Sequence, residues 1–83
     1  MDIQMQDRVR QIIADELQRA PGEVRSGTSL RKELGMDSVA AINIVFAIED
    51  TFGVHVPESE LEDVDDMDQI IRLVRHYTEK PAS

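Results

Sequence analysis

The fifteen residues from Ser38 to Phe52, SVAAINIVFAIEDTF, constrain this chain more than any other stretch. Their apolar members, Val39, Ile42, Ile44, Val45, Phe46, Ile48 and Phe52, fill more than one helical stripe. Several are β-branched, which makes a strand the competing reading. The length of the run and the Glu49-Asp50 pair near its end favour a helix. Such a helix is either buried over much of its circumference or leaves an apolar patch for a partner. Asp37 or Ser38 caps its start, and Gly53 marks its stop.

The remaining elements must cover that helix. From Ile3 to about Arg19, Met5, Val9, Ile12, Ile13 and Leu17 recur at helical spacing, and Pro21-Gly22 ends the pattern. A connection of some fifteen residues follows. It is long for a structureless loop, so Val24, Leu30 and Leu34 are expected to anchor it over the helices. Val54-His55-Val56 is too short for a useful strand, and Pro57 suits the start of a short helix over 58–62. The last helix starts near Asp65-Asp66 and runs to about Tyr77. Met67, Ile70, Ile71 and Val74 form its stripe, Arg72 and Arg75 lie on the other side, and Arg75, His76 and Lys80 complement its dipole. Pro81-Ala82-Ser83 reads as a frayed tail. The expectation is one all-α domain over 1–83, with a core at about 5–77: a bundle of three main helices plus one short helix.

At 83 residues the core is small, with roughly 3–5 kcal/mol of net stability in prospect. No cysteine is present, so neither disulfides nor thiolate metal sites support the fold. No apolar run reaches membrane-spanning length, and MDIQMQDRVR lacks the order of a signal peptide. A cytoplasmic protein is expected. Between Asp37 and Asp68 stand ten carboxylates and no Lys or Arg, so this half of the chain reads as a negative surface. It would repel nucleic acid and steer a basic protein partner, although acidic runs also serve solubility alone.

Most chemical motifs fail. His55 and His76 have no other His or Cys in ligand spacing, and no metal site is expected. In DVDDMDQIIRLV, Asp63 and Asp65 fit the first and third positions of a calcium loop. Met67 fails the fifth, and Asp68 stands where the turn needs glycine. GMDSV lacks the second glycine of a nucleophile elbow, no Gly-rich phosphate loop occurs, and three aromatic residues make no base-stacking surface. Nothing in the chain does acid–base chemistry by itself, so no enzyme and no catalytic residue are expected.

Ser38 is the remaining candidate. Its oxygen could cap the helix, accepting from a first-turn amide. The same helix start, with free N–H groups and a positive dipole end, would equally suit a phosphodiester on the hydroxyl.

Leu34-Gly35-Met36-Asp37-Ser38-Val39 resembles the phosphopantetheine-attachment motif of acyl carrier proteins, usually Gly-x-Asp-Ser-Leu. DRVRQIIADEL (7–17) looks like that family's first helix. FAIEDTFGVHVPESELEDVDDM (46–67) resembles its second helix, proline-closed loop and acidic third helix. The likeness runs from about Met5 to Tyr77, and it implies an acyl-carrier-like four-helix bundle. It also implies that Ser38 carries 4′-phosphopantetheine, donated from coenzyme A by a phosphopantetheinyl transferase, with Asp37 supporting the attachment. The arm's thiol would hold acyl groups as thioesters, which explains a carrier without cysteine.

The departures bear on partners. Val39 replaces the usual leucine, and Ala40 and Asn43 stand where acids are frequent. Glu49 and Asp50 remain, with Phe46 between them and the helix start as an apolar anchor. The expected partner surface is therefore Val39, Ala40, Asn43, Phe46, Glu49 and Asp50, with little reliance on early-helix salt bridges. Its partners would be acyl-loading, condensing or acyl-transfer enzymes with basic docking surfaces, met by a monomer. This favours a discrete carrier of polyketide or other specialised acyl metabolism over housekeeping fatty-acid synthesis. Met36 argues against an aminoacyl or peptidyl carrier, which more often shows Gly-Gly-x-Ser. Ile70 stands where small residues are common and would narrow the room for a buried acyl chain. The alternative is an acidic docking module of the same fold in which Ser38 is only a helix cap.

Overall fold

The computed structural model describes residues 3–79, so Lys80 and the expected tail lie outside the described residues. Helix α1 spans Ile3–Leu17 and buries Val9 and Ile13 completely. It ends two residues sooner than expected, and not at the proline. Gln18 turns left-handed at φ 57°, and the Arg19 amide donates back to the Ala14 carbonyl at 2.9 Å. This closes the helix through its own last carbonyls. Pro21 then opens a 3-10 turn over Pro21–Glu23, with the Glu23 carboxylate accepting the Ala20 amide at 3.0 Å.

The long connection contains a helix that the sequence reading passed over. Helix α2, Leu30–Leu34, is capped by the Ser29 hydroxyl, which accepts the Lys32 amide at 3.1 Å. The Glu33 carboxylate accepts the Ser29 amide at 3.0 Å, so both ends of the cap are paired. The expected anchors hold: Val24, Leu30 and Leu34 are all buried. Polar ties fasten the same segment to the entry of the last helix. The Leu30 amide donates to the Asp65 carbonyl at 2.7 Å, and the Asp65 carboxylate accepts the Arg31 amide and the Ser29 hydroxyl.

Helix α3 is Ser38–Phe52, as the sequence indicates. Gly53 stops it at φ 67°, a left-handed position that suits glycine, with its amide on the Glu49 carbonyl at 2.8 Å. Its apolar breadth serves both purposes offered above. Ile44, Val45 and Ile48 are buried, whereas Val39 and Phe46 are 65% and 57% exposed on the opposite face. The short helix expected over 58–62 is a 3-10 turn, Glu58–Leu61, with Pro57 at its N-cap.

Helix α4, Met67–Glu79, begins just after the expected Asp65-Asp66 because Asp66 is its cap. Asp66 Oδ1 accepts the Gln69 amide at 2.9 Å, while Gln69 Oε1 accepts the Asp65 and Asp66 amides at 2.7 and 3.1 Å. Met67, Ile70, Ile71 and Val74 are buried, Arg72 is exposed and Arg75 is half-buried. Helix α1 packs against both α3 and α4. Among the described residues the architecture is all-α, three long helices and one short one around a single core. No described helix is long and apolar enough to cross a membrane.

Candidate functional site

The segment between α2 and α3 is built to fix one residue. Gly35, at φ 76°, ends α2 in the left-handed region, and its amide returns to the Leu30 carbonyl. Met36 then points inward, 6% exposed, with its amide also on the Leu30 carbonyl at 2.9 Å. Asp37 follows in an extended conformation, φ −104° and ψ −176°, the geometry of an N-cap. Its Oδ1 accepts the Ala40 amide at 2.8 Å, and its carbonyl accepts the Ala41 amide at 2.9 Å.

Ser38 is therefore the first residue of the helix, already helical and exposed. Among the described residues, no group hydrogen-bonds its hydroxyl. The choice between Asp37 and Ser38 as cap is settled for Asp37. The alternative in which Ser38 serves only as a cap is thereby corrected, because a cap must precede the helical dihedrals and Asp37 occupies that place. Among the described residues, the fold makes no use of the Ser38 hydroxyl.

An apolar cavity of about 20 Å³ lies beside the motif. Met36, Ala41, Ile44 and Ile48 line one side, and Val56, Leu61, Val64 and Ile70 line another. That volume admits little more than one water molecule, so the interior is essentially closed. Ile70 does contribute to the wall, at 4% exposure.

The residues expected to meet partners do not all share one face. Val39, Asn43, Phe46 and Asp50 are exposed and follow one another at helical spacing on a single side of α3. Ala40 is half-buried against the core. Glu49 is turned aside: its carboxylate accepts the Val56 amide at 2.9 Å and lies 3.1 Å from His55 Nδ1. Asn43 is also engaged, donating to the Glu16 carboxylate of α1 at 3.0 Å. His76 stacks edge-on against Tyr77 with ring centroids 5.0 Å apart.

The acidic half is less free than its charge suggests. Asp37, Glu49, Glu60, Asp65, Asp66 and Asp68 each accept a hydrogen bond from a backbone or side-chain donor of the same chain. Asp65 is held in its ionised form. The Ser29 hydroxyl lowers its pKa most, burial opposes this, and the Arg31 amide and the nearby Arg31 and Lys32 charges lower it further.

A family model described as a phosphopantetheine attachment site matches residues 7–74. The chain belongs to this family of phosphopantetheine-carrying carrier proteins. Its members carry covalently attached 4′-phosphopantetheine, and these domains are carriers and not catalysts. They work with a phosphopantetheinyl transferase and with further partner enzymes.

The residues present fit that group. An exposed serine hydroxyl, without a hydrogen-bond partner among the described residues, stands at a helix start, where amides and the dipole favour a phosphodiester. Ser38 would hold the group. When bound, it supplies a terminal thiol, which the chain itself lacks.

Four residues of this region escaped the sequence reading: Ser29, Arg31 and Asp65, which fasten the pre-serine segment to α4, and Glu16, which reaches Asn43. Ser29 just ahead of Leu30 was a readable cap signal, although Glu33 stands one position beyond the usual partner. The Arg31–Asp65 and Glu16–Asn43 contacts join distant stretches and leave no local signature.

Proposed function

We propose that this chain is an acyl carrier in which Ser38 is the attachment point. The observation that carries this reading is the division of labour at the helix start, with Asp37 capping and the Ser38 hydroxyl left to solvent. In the loading step the Ser38 oxygen forms a bond to the β-phosphorus of coenzyme A, and the phosphoanhydride bond breaks. Adenosine bisphosphate leaves, and the serine proton passes to a base on the transferase. The arm's thiol then holds acyl groups as thioesters and presents them to enzymes of polyketide, fatty-acid or related specialised acyl metabolism.

The partner face of this reading is the exposed ridge of Val39, Asn43, Phe46 and Asp50. Its first two turns carry no charge, so partners would grip it through apolar contact, with basic groups meeting Asp50 and the acids beyond. An aminoacyl or peptidyl cargo is the competing reading, and Met36 disfavours it. The chain acts as a cytoplasmic monomer in this account. Incubation with coenzyme A and a broad-specificity transferase tests it: intact mass should rise by one phosphopantetheine. No rise, with a transferase active on another carrier, would overturn the proposal.

A further inference from the structure

Arg31 sits on α2, just ahead of the Gly35 turn that delivers Ser38, and its guanidinium leaves its own helix. It crosses to the segment that leads into α4. There Nη1 donates to the Val64 carbonyl at 2.6 Å and Nη2 to the Leu61 carbonyl at 3.3 Å. Nη1 also lies 3.7 Å from Asp65 Oδ1, the carboxylate that accepts the Arg31 amide at 3.1 Å. Leu61 and Val64 are the residues whose side chains form part of the cavity wall between α3 and α4. One cation thus holds, through their backbones, two residues that close the apolar interior.

The rest of that wall is lightly tied. Glu62 and Asp63 are exposed, the Val64 amide returns to the Leu61 carbonyl at 3.1 Å, and besides Arg31 the Tyr77 hydroxyl donates to the Glu60 carboxylate just ahead of the segment. A planar guanidinium is suited to this task, because its donors diverge in one plane and can serve two carbonyls at once. A lysine could serve one. The cavity of about 20 Å³ is too small for a hydrocarbon chain, so apolar cargo could enter only if the 61–64 segment moved outward. That movement breaks the Arg31 contacts.

We propose that Arg31 is a strap that sets how much apolar cargo the interior admits, by holding the Leu61–Val64 wall against α3. Its place on α2 couples that wall to the helix that positions the Ser38 turn. The strap stands on the contacts alone; its effect on cargo rests on the acyl-carrier reading.

Backbone amide exchange on the unmodified full chain tests the strap, comparing wild type with Arg31→Met and Arg31→Lys. Methionine keeps an apolar stem and removes every donor. In R31M the Val64 amide should exchange about tenfold faster, while the Val9 and Ile13 amides of α1 keep their rates. R31K should fall between. An unchanged Val64 rate would overturn the strap, and so would an equal acceleration of Val9 and Ile13. On protein loaded with an octanoyl thioester, R31M should slow cleavage by hydroxylamine, and equal rates would overturn the cargo effect. If no arm attaches at all, the proposed function fails, while amide exchange still decides the strap.

Discussion

Asp37 Oδ1 accepts the Ala40 amide at 2.8 Å, and the next residue, Ser38, enters the helix with its hydroxyl exposed and unbonded among the described residues. Two adjacent polar side chains that look interchangeable in the sequence thus have separate duties. Asp37 satisfies a helix-start amide, and Ser38 is spared from the fold.

That separation has a measurable consequence. Asp37→Ala should lower unfolding stability by about 0.5–2 kcal/mol, the usual loss for a cap. Ser38→Ala should stay within about 0.5 kcal/mol of wild type, as for an exposed substitution. Urea unfolding of both variants checks this. Equal losses would mean that Ser38 shares the cap.

Gln18 offers a second test. It closes α1 in the left-handed region, where a side chain costs roughly 1–2 kcal/mol and glycine does not. Because Gln18 is exposed, Gln18→Gly should raise the thermal midpoint, partly offset by the greater freedom of the unfolded chain. A lowered midpoint would contradict the geometry.

Asp65 links stability to pH. Folding depresses its pKa, chiefly through the Ser29 hydroxyl. The resulting stabilisation is complete above the ordinary carboxylate range, near pH 4, and disappears as pH falls through the still lower folded value. Ser29→Ala should therefore cost more at pH 6 than at pH 2.5 in urea titrations. A cost independent of pH would show that the carboxylate is not the partner that matters.

The acidic half predicts a response to salt. Asp50, Glu62 and Asp63 remain exposed while the other acids described above are bonded within the chain. Residual repulsion should be screened by added sodium chloride or magnesium, raising the melting temperature by up to about 5 °C. A fall on adding magnesium would contradict a clustered negative face.

Much of this site was readable before the fold was known, for local reasons. Helix α3 announces itself between Asp37 and Gly53, because a cap and a left-handed glycine act within a few residues of their own position. Leu30 and Leu34 advertise burial through their spacing. What could not be read depends on contacts between distant stretches. Glu49, adjacent to Asp50 in sequence, was expected on the partner face, but the chain folds back after Gly53 and brings the Val56 amide to its carboxylate. Arg31 carries no local signal, because its role depends on the 61–64 segment, some thirty residues on, being brought beside it. Pro21 is the visible stop signal for α1, yet Gln18, whose left-handed turn has no sequence signature, reverses the chain before it.

The most direct test of the account is the position of the arm. After loading from coenzyme A, proteolysis and fragmentation of the product should place a single phosphopantetheine on Ser38, and Ser38→Ala should remain folded and unloaded. An arm on Ser26, Ser29 or Ser59, or full loading of the Ser38→Ala protein, would contradict it.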